Sequence, residues 1–164
     1  MAWLTALNSR LSRWTMYLAC LCLAGLLSVV VYGVVMRYVF NNAPPYVEQL
    51  ALLLVISVAM FGASAGVRDA GHIGLDSVVK NLPEGLKGGV ELLVHVLSIG
   101  FALALLVGGT LMGTSTHSMT IPTLGVSEAF RYLPVVAAGV LIALFSIEHM
   151  AAHFTGKKVM PSWH

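Results

Sequence analysis

The stretch WTMYLACLCLAGLLSVVVYGVVM, residues 14–36, decides the fold, because it contains no lysine, arginine, aspartate or glutamate. A helix rises about 1.5 Å per residue, so this run reaches about 34 Å and can cross a hydrocarbon core roughly 30 Å thick. Three further uncharged runs follow at residues 49–67, 92–116 and 132–147. The sequence therefore predicts an all-α integral membrane protein with four spans, at about residues 14–36, 49–67, 92–116 and 129–150.

The composition agrees with a protein immersed in lipid. Hydrophobic residues make up 58% of the chain and charged residues only 10%, against about 25% charged in a typical globular domain. Four spans leave room for little except short connections, so we expect one membrane domain over residues 1–164. The formal net charge of +2 is too small to indicate a nucleic-acid partner.

The basic residues predict the topology. Of the nine lysines and arginines, seven lie in the two tails and the middle loop, and only Arg37 and Arg131 lie in the other two loops. By the positive-inside rule, both termini and the middle loop are expected in the cytoplasm. In the fourth span, Arg131 can extend to the outer surface, and Glu148 and His149 can lie at the cytoplasmic interface.

Two segments outside the spans are amphipathic. Residues 75–91 carry apolar side chains at a spacing of three and four, with charged residues between them, and this pattern predicts an interfacial helix on the cytoplasmic face. Residues 1–13 show a similar spacing around Arg10 and Arg13, which predicts a short interfacial helix leading into the first span. Trp14 and Tyr17 suit the level of the lipid headgroups.

Two glycine pairs are candidates for close helix contacts. Gly62 and Gly66 are four residues apart, and so are Gly109 and Gly113. Small residues at this spacing let helices approach closely in lipid. Because glycine is common in membrane helices, the ordinary alternative is that a pair has no such role.

Charged residues at the two ends of the second span are further candidates for partner or structural contacts. Arg68, His72 and Asp76 follow one another at four-residue steps and would share one face of a helix. They are either an interfacial cluster that stops the helix from sinking, or an elbow that holds the flat helix or docks a partner. Arg37 and Glu48 bracket the outer loop and can pair across it or meet the charges of a partner.

No catalytic or metal-binding signature is evident, and we expect neither enzyme activity nor a cofactor in this chain. His95 and His117 are about 33 Å apart on one helix and cannot share a haem iron, whereas His95 and His149 could. His149 and His153 have the spacing of a metal pair, but no third or fourth ligand is evident nearby. No nucleophile elbow, phosphate loop or CxxC motif occurs.

The order of several short motifs around the four spans resembles the small membrane subunit of tripartite ATP-independent periplasmic (TRAP) transporters. The resemblance covers roughly residues 14–150 and includes Arg37-Tyr38-Val39-Phe40, Tyr46-Val47-Glu48-Gln49, Phe61-Gly62-Ala63-Ser64-Ala65, Arg68, His72-Ile73, Asp76, Leu82-Pro83, Ile121-Pro122 and Tyr132-Leu133-Pro134. Gln49 departs from the pattern, because a second acid is frequent there in the family.

This resemblance implies a scaffold subunit in the inner (cytoplasmic) membrane of a bacterium. Its partners would be a large membrane subunit that holds the substrate and sodium sites, a periplasmic substrate-binding protein and the lipid bilayer. The system would import an organic acid, such as a C4-dicarboxylate or a sialic acid, by symport with an ion. The four uncharged runs that form the cores of the spans contain no carboxylate, which fits a subunit that does not carry the ion itself.

Two other functions remain open at this stage. One is a haem-bearing membrane anchor of a redox enzyme, which a visible absorption spectrum would reveal. The other is a small transporter that assembles with itself, although it would need a polar residue at mid-bilayer, where only serine, threonine and histidine are available.

Overall fold

The computed structural model describes residues 2–69 and 84–154 of the chain. Within them, all four long helices are long and apolar enough to cross a membrane, which confirms the predicted four-span all-α fold. The helices are α1 (Ala2–Tyr38), α2 (Tyr46–Asp69), α3 (Glu84–Ser115) and α4 (Leu133–Phe154), with a short 3-10 helix at Glu128–Arg131.

The first helix runs without a break through the predicted interfacial segment. At 37 residues it is about 55 Å long, well beyond the bilayer core. Residues 2–13 are helical, but they form the first turns of α1 and not a short helix of their own, and their position at the membrane interface stays a prediction. Neither glycine nor proline stands near residue 13 to break the helix. Its first turns also bury Asn8 and Ser12 against other helices, which ties this end to the helical row.

The outer connection between α1 and α2 is set by local breakers. The α1 helix is closed by a bond from the Asn42 amide to the Met36 carbonyl at 2.9 Å, and Asn41 takes the left-handed conformation with φ of 49°. Asparagine is one of the few residues that tolerate this geometry after a helix. Pro44 and Pro45 then prevent immediate re-entry into helix.

The helices lie in a row instead of forming a closed bundle. Helix α1 packs on α2, α2 packs on α4, and α4 packs on α3, so α1 and α3 lie at the two edges. Glycines allow two of these approaches: a Cβ at Gly33 would lie 2.7 Å from Val47 Cγ1, and one at Gly139 would lie 3.1 Å from the Ala102 carbonyl oxygen. A row of helices leaves two broad faces for lipid or other proteins.

The connection from α3 to α4 folds back against the helix ends. Thr120 and Ser127 form an antiparallel bridge, Gly125 makes the turn with φ of +66°, and the side chain of Ile121 is buried. On the other side of the molecule, residues 84–91 form the first turns of α3. The rest of the predicted interfacial helix at 75–91 lies outside the described residues, so that helix stays a prediction.

Candidate functional site

Three helix ends meet in a buried polar cluster, which we define as Asn8, Ser12, Arg68, Asp69, Glu148 and His149. The first two come from the start of α1, the next two from the end of α2, and the last two from the final turns of α4. These ends share one side of the row, because α1 and α2 run antiparallel, as do α3 and α4. The two residues at the centre of the cluster are nearly inaccessible to solvent: Arg68 is 3% exposed and Glu148 is 7% exposed.

The centre of the cluster is an ion pair between Arg68 and Glu148. The guanidinium donates from Nε to Glu148 Oε2 at 3.2 Å and from a terminal nitrogen to Oε1 at 3.3 Å. Two parallel bonds from a planar guanidinium to one carboxylate fix its orientation as well as its distance. The pair joins α2 to α4 across 80 residues of sequence.

Asp69 and the first turns of α1 also contact Arg68. Asp69 accepts from the guanidinium at 3.1 Å and from the Ser12 hydroxyl at 2.6 Å. The Asn8 amide donates to Glu148 Oε2 at 2.8 Å, and the Thr5 carbonyl accepts from the guanidinium at 3.4 Å. Each carboxylate thus bonds to the arginine and to one polar side chain of α1.

Two histidines continue the polar contacts toward α3. The ring of His149 hydrogen-bonds through Nε2 with the Arg68 carbonyl at 3.0 Å. His95 of α3 stacks on His149, with ring centroids 5.7 Å apart and an angle of 9° between the rings. The sequence had allowed His95 and His149 to share a haem, and they do come together. Their rings lie face to face, however, and His149 Nε2 is engaged by backbone.

The cluster is suited to holding helices in place. Burying charges is expensive in itself, but once they are buried, removing one partner typically costs 3–5 kcal/mol. The arginine lies against both carboxylates, so these acids are not open to a cation. Across residues 2–69 and 84–154, no group of three or more potential metal ligands is found. The arrangement therefore acts as a clamp on α1, α2 and α4.

The structure places the charged candidates at opposite ends of α2. Arg37 and Glu48 pair across the outer loop at 3.2 Å, and both remain largely exposed, at 56% and 76% of the side chain. Arg68 lies in the buried cluster with Asp69 and Glu148 as its partners. His72 and Asp76 lie outside the described residues, so their alignment with Arg68 stays a prediction.

The two glycine pairs differ in their surroundings. A Cβ at Gly109 would lie 2.8 Å from Val136 Cγ2, and one at Gly113 would lie 3.6 Å from Tyr132 Cβ, so this pair lies in the contact between α3 and α4. Around Gly62 and Gly66, no atom of the described part of the chain comes within 4 Å of the Cβ position. Any close contact at this second pair would have to involve something other than these helices.

The outer end of the row carries its own polar contacts. Arg131 donates to Glu128 at 3.2 Å and to the side-chain oxygen of Gln49, so Gln49 connects α2 to the segment before α4. A shallow groove of about 280 Å³ opens between α1 and α2 beside the Arg37–Glu48 pair, and its lining is mostly apolar. These features define a mixed polar and apolar surface at this end.

The sequence did not indicate Asn8 and Ser12 as members of the site, and it placed Glu148 at the membrane interface without a partner. One signal was available. Asn8, Ser12 and Thr15 recur at four and three residues, which places them on one face of a helix. A polar stripe beside an apolar span indicates a buried polar contact, but it does not identify the partner.

Fold and site together define a class: a multi-pass membrane protein with four helices long enough to span the bilayer, three of which are joined at one end by a buried ion-pair cluster. Residues 26–156 match the family model described as "Tripartite ATP-independent periplasmic transporters, DctQ component". Because this match covers most of the chain, the protein belongs to the DctQ family, the small permease subunit of the tripartite ATP-independent periplasmic (TRAP) transporters.

Curated relatives agree with this membership. A Haemophilus influenzae protein provisionally named a TRAP transporter small permease protein is 25% identical over 80% of this chain and 81% of its own length. The sialic acid TRAP transporter small permease protein SiaQ of Vibrio cholerae is 23% identical over 77% of this chain and 73% of its own length. The sialic acid TRAP transporter permease protein SiaT of Haemophilus influenzae is 29% identical over 85% of this chain but only 24% of its own length.

Proposed function

We propose that this chain is the scaffold subunit of an ion-gradient-driven importer of an organic acid, and that it carries no substrate itself. The observation that carries this proposal is the position of its acids. Every aspartate and glutamate in the described helices lies within about two turns of a helix end. The two acids of the polar cluster are engaged by Arg68. Residues that bind ions in the membrane interior are commonly ionisable groups facing a cavity.

The partner that moves the substrate is the large permease subunit of the same transporter. SiaT supports this pairing, because this chain matches about a quarter of a much longer permease. A small and a large part on one polypeptide are expected to work in one assembly. The names of SiaT and SiaQ refer to sialic acid, which favours an organic acid here. Sodium is the coupling ion we propose, bound on the large subunit.

A scaffold must resist the forces of a moving neighbour, and the row of helices has the features for it. The polar cluster connects α1, α2 and α4 at one end. Close glycine contacts connect α1 to α2 and α3 to α4 along the membrane. A rigid row of this kind widens the fixed part of the transporter, so that the carrier part can move against it. No enzyme activity or bound cofactor is part of this role.

We also propose the orientation and the docking end. With both termini in the cytoplasm, the polar cluster lies at the cytoplasmic side and the Arg37–Glu48 pair faces the periplasm. Because both charges of that pair stay exposed, they are available to a periplasmic substrate-binding protein. The amphipathic segment 75–91 would lie on the cytoplasmic surface.

A deletion strain tests the proposal. The gene for this chain is removed, the large subunit and the binding protein are kept, and uptake of radiolabelled sialic acid and C4-dicarboxylates is measured with and without sodium. We expect no sodium-dependent uptake until the chain is restored from a plasmid, and we expect the tagged chain to copurify with the large subunit. Full uptake without this chain would refute the scaffold role.

A further inference from the structure

The first turns of α1 carry a surface feature that the scaffold role does not use. Arg10, Arg13, Trp14 and Tyr17 form what we call the basic–aromatic stripe. At three- and four-residue spacing these side chains share one face of the helix. Both arginines are exposed, and Trp14 and Tyr17 are 73% and 60% exposed. Such exposure is unusual for a tryptophan unless lipid or another molecule covers it.

The opposite face of the same turns fixes the direction of the stripe. Asn8, Ser12, Thr15 and Ala19 are all buried, and Asn8 and Ser12 bond to Glu148 and Asp69 of the cluster. At 100° per residue, the centre of this buried face lies about 180° around the helix from the centre of the stripe. The clamp therefore prevents rotation of α1 and directs the stripe away from the row of helices.

The depth of the stripe matches the layers of a lipid leaflet. Trp14 begins the uncharged run, and indole and phenol rings favour the boundary between headgroups and acyl chains. Arg10 lies four residues further out, about 6 Å along the axis, at the level of lipid phosphates. On the other side, the stripe continues into Leu21, which is 71% exposed and can contact an acyl chain.

Among the residues that the structure describes, no acid pairs with the arginines of the stripe. No aspartate or glutamate precedes Glu48 in the sequence. In the part of the chain that the structure describes, the ion pairs involve Arg37, Arg68 and Arg131, and none involves Arg10 or Arg13. Glu148 and Asp69 contact α1 on its opposite face, through Asn8 and Ser12, and both bond to Arg68.

From these observations we propose that the basic–aromatic stripe is a binding site for one anionic glycerophospholipid. The guanidinium groups of Arg10 and Arg13 hold the headgroup phosphate, to which arginine can donate two parallel bonds. The rings of Trp14 and Tyr17, which contact each other edge to face at 6.4 Å between centroids, lie at the glycerol level. An anionic headgroup is preferred over a zwitterionic one, because it has no ammonium group to oppose the two arginines.

Quenching of Trp14 fluorescence tests the site in the full-length chain. Substitutions Trp3→Phe and Trp163→Phe leave Trp14 as the single tryptophan. The protein is placed in phosphatidylcholine nanodiscs with a minor fraction of phosphatidylglycerol, and either lipid is supplied with brominated acyl chains. Each arginine near an anionic surface contributes about a fivefold preference for the anionic lipid, so both together give about a twenty-five-fold enrichment of phosphatidylglycerol at Trp14. High salt should reduce this enrichment.

Variants assign the preference to the stripe. Arg10→Gln with Arg13→Gln should bring the enrichment close to one, whereas Arg10→Lys with Arg13→Lys should keep most of it and shows that the fold tolerates changes there. Arg37→Gln, which changes an exposed arginine at the other end of α1, is the control for charge and should leave the lipid preference of Trp14 quenching unchanged. Equal quenching by both brominated lipids, or a preference that survives the glutamine variant, would overturn the proposal.

The competing occupant of the stripe is the large subunit. The single-tryptophan chain is therefore also assembled with a tryptophan-free large subunit, and brominated lipid should still quench Trp14 in this complex. The variant with Arg10→Gln and Arg13→Gln should still copurify with the large subunit. Loss of quenching on assembly, together with loss of copurification in the variant, would make the stripe a protein interface and refute the lipid site.

Discussion

The polar cluster contains one arginine and two acids, and this imbalance predicts unequal effects of mutation. Arg68 donates two hydrogen bonds to Glu148 and one to Asp69. Replacing Arg68 by Met removes the one lysine or arginine among the described residues of the cluster, and both carboxylates lose their bonds to it. Replacing Glu148 by Gln instead leaves Arg68 paired with Asp69, and the amide keeps an oxygen that can accept from Arg68 and Asn8.

The expected magnitudes follow from the cost of an uncompensated buried charge. Removing one partner of a buried ion pair costs about 3–5 kcal/mol, and we expect Arg68→Met to fall in this range. For Glu148→Gln we expect about 1–2 kcal/mol, the usual worth of weakened hydrogen bonds to a charged group. The difference of about 2 kcal/mol corresponds to roughly a thirtyfold change in the folding equilibrium. Arg37→Gln, which breaks an exposed pair, should cost about 0–1 kcal/mol.

The assay is reversible unfolding of the purified chain in mild detergent, followed by circular dichroism as the fraction of denaturing detergent is raised. Variants are compared at one protein concentration and one pH. Equal losses for Arg68→Met and Glu148→Gln would refute the idea that one arginine balances two acids. An effect of Arg68→Met no larger than that of Arg37→Gln would show that the cluster does not hold the helices.

Three further predictions test the packing, the topology and the absence of a haem. Gly109→Leu should destabilise the chain by about 1–3 kcal/mol through overpacking against α4. Gly62→Leu should leave thermal unfolding in detergent nearly unchanged, since no described atom lies near its Cβ position. A larger destabilisation by Gly62→Leu than by Gly109→Leu would contradict this packing. In a variant without the native cysteines, Asn42→Cys should react with an impermeant maleimide added to intact spheroplasts and His164→Cys should not, and the opposite pattern would invert the topology. The purified protein should show no Soret band, and a band that persists at one haem per chain would instead favour a redox anchor.

The spans could be predicted from the sequence because the absence of charge over residues 14–36 is a local property. The polar cluster could not be predicted in this way, because its contacts join residues far apart in the sequence. Arg68 and Glu148 are 80 residues apart, and Asn8 and Glu148 are 140 apart, so pairing them requires knowledge of which helices are neighbours. The sequence suggested His72 and Asp76 as companions of Arg68 by local spacing, whereas the described partners are Asp69, next to it, and Glu148.

Helix continuity and helix order were also beyond the sequence pattern. The spacing around Arg10 fits either a flat interfacial helix or an extension of the first span, because both present one apolar and one polar face. The buried contacts of Asn8 and Ser12 favour the extension. The row α1–α2–α4–α3 likewise depends on side-chain fit, for example at Gly139 against Leu106, which no single segment reveals.

The most direct test of the scaffold role is solute uptake by proteoliposomes of three kinds: this chain alone, the large subunit alone, and both together. Each is supplied with the binding protein, an inward sodium gradient and labelled organic acids. We expect accumulation only where both subunits are present. Sodium-driven accumulation by vesicles that contain this chain alone would show that the four helices carry substrate themselves and would contradict the role assigned to them.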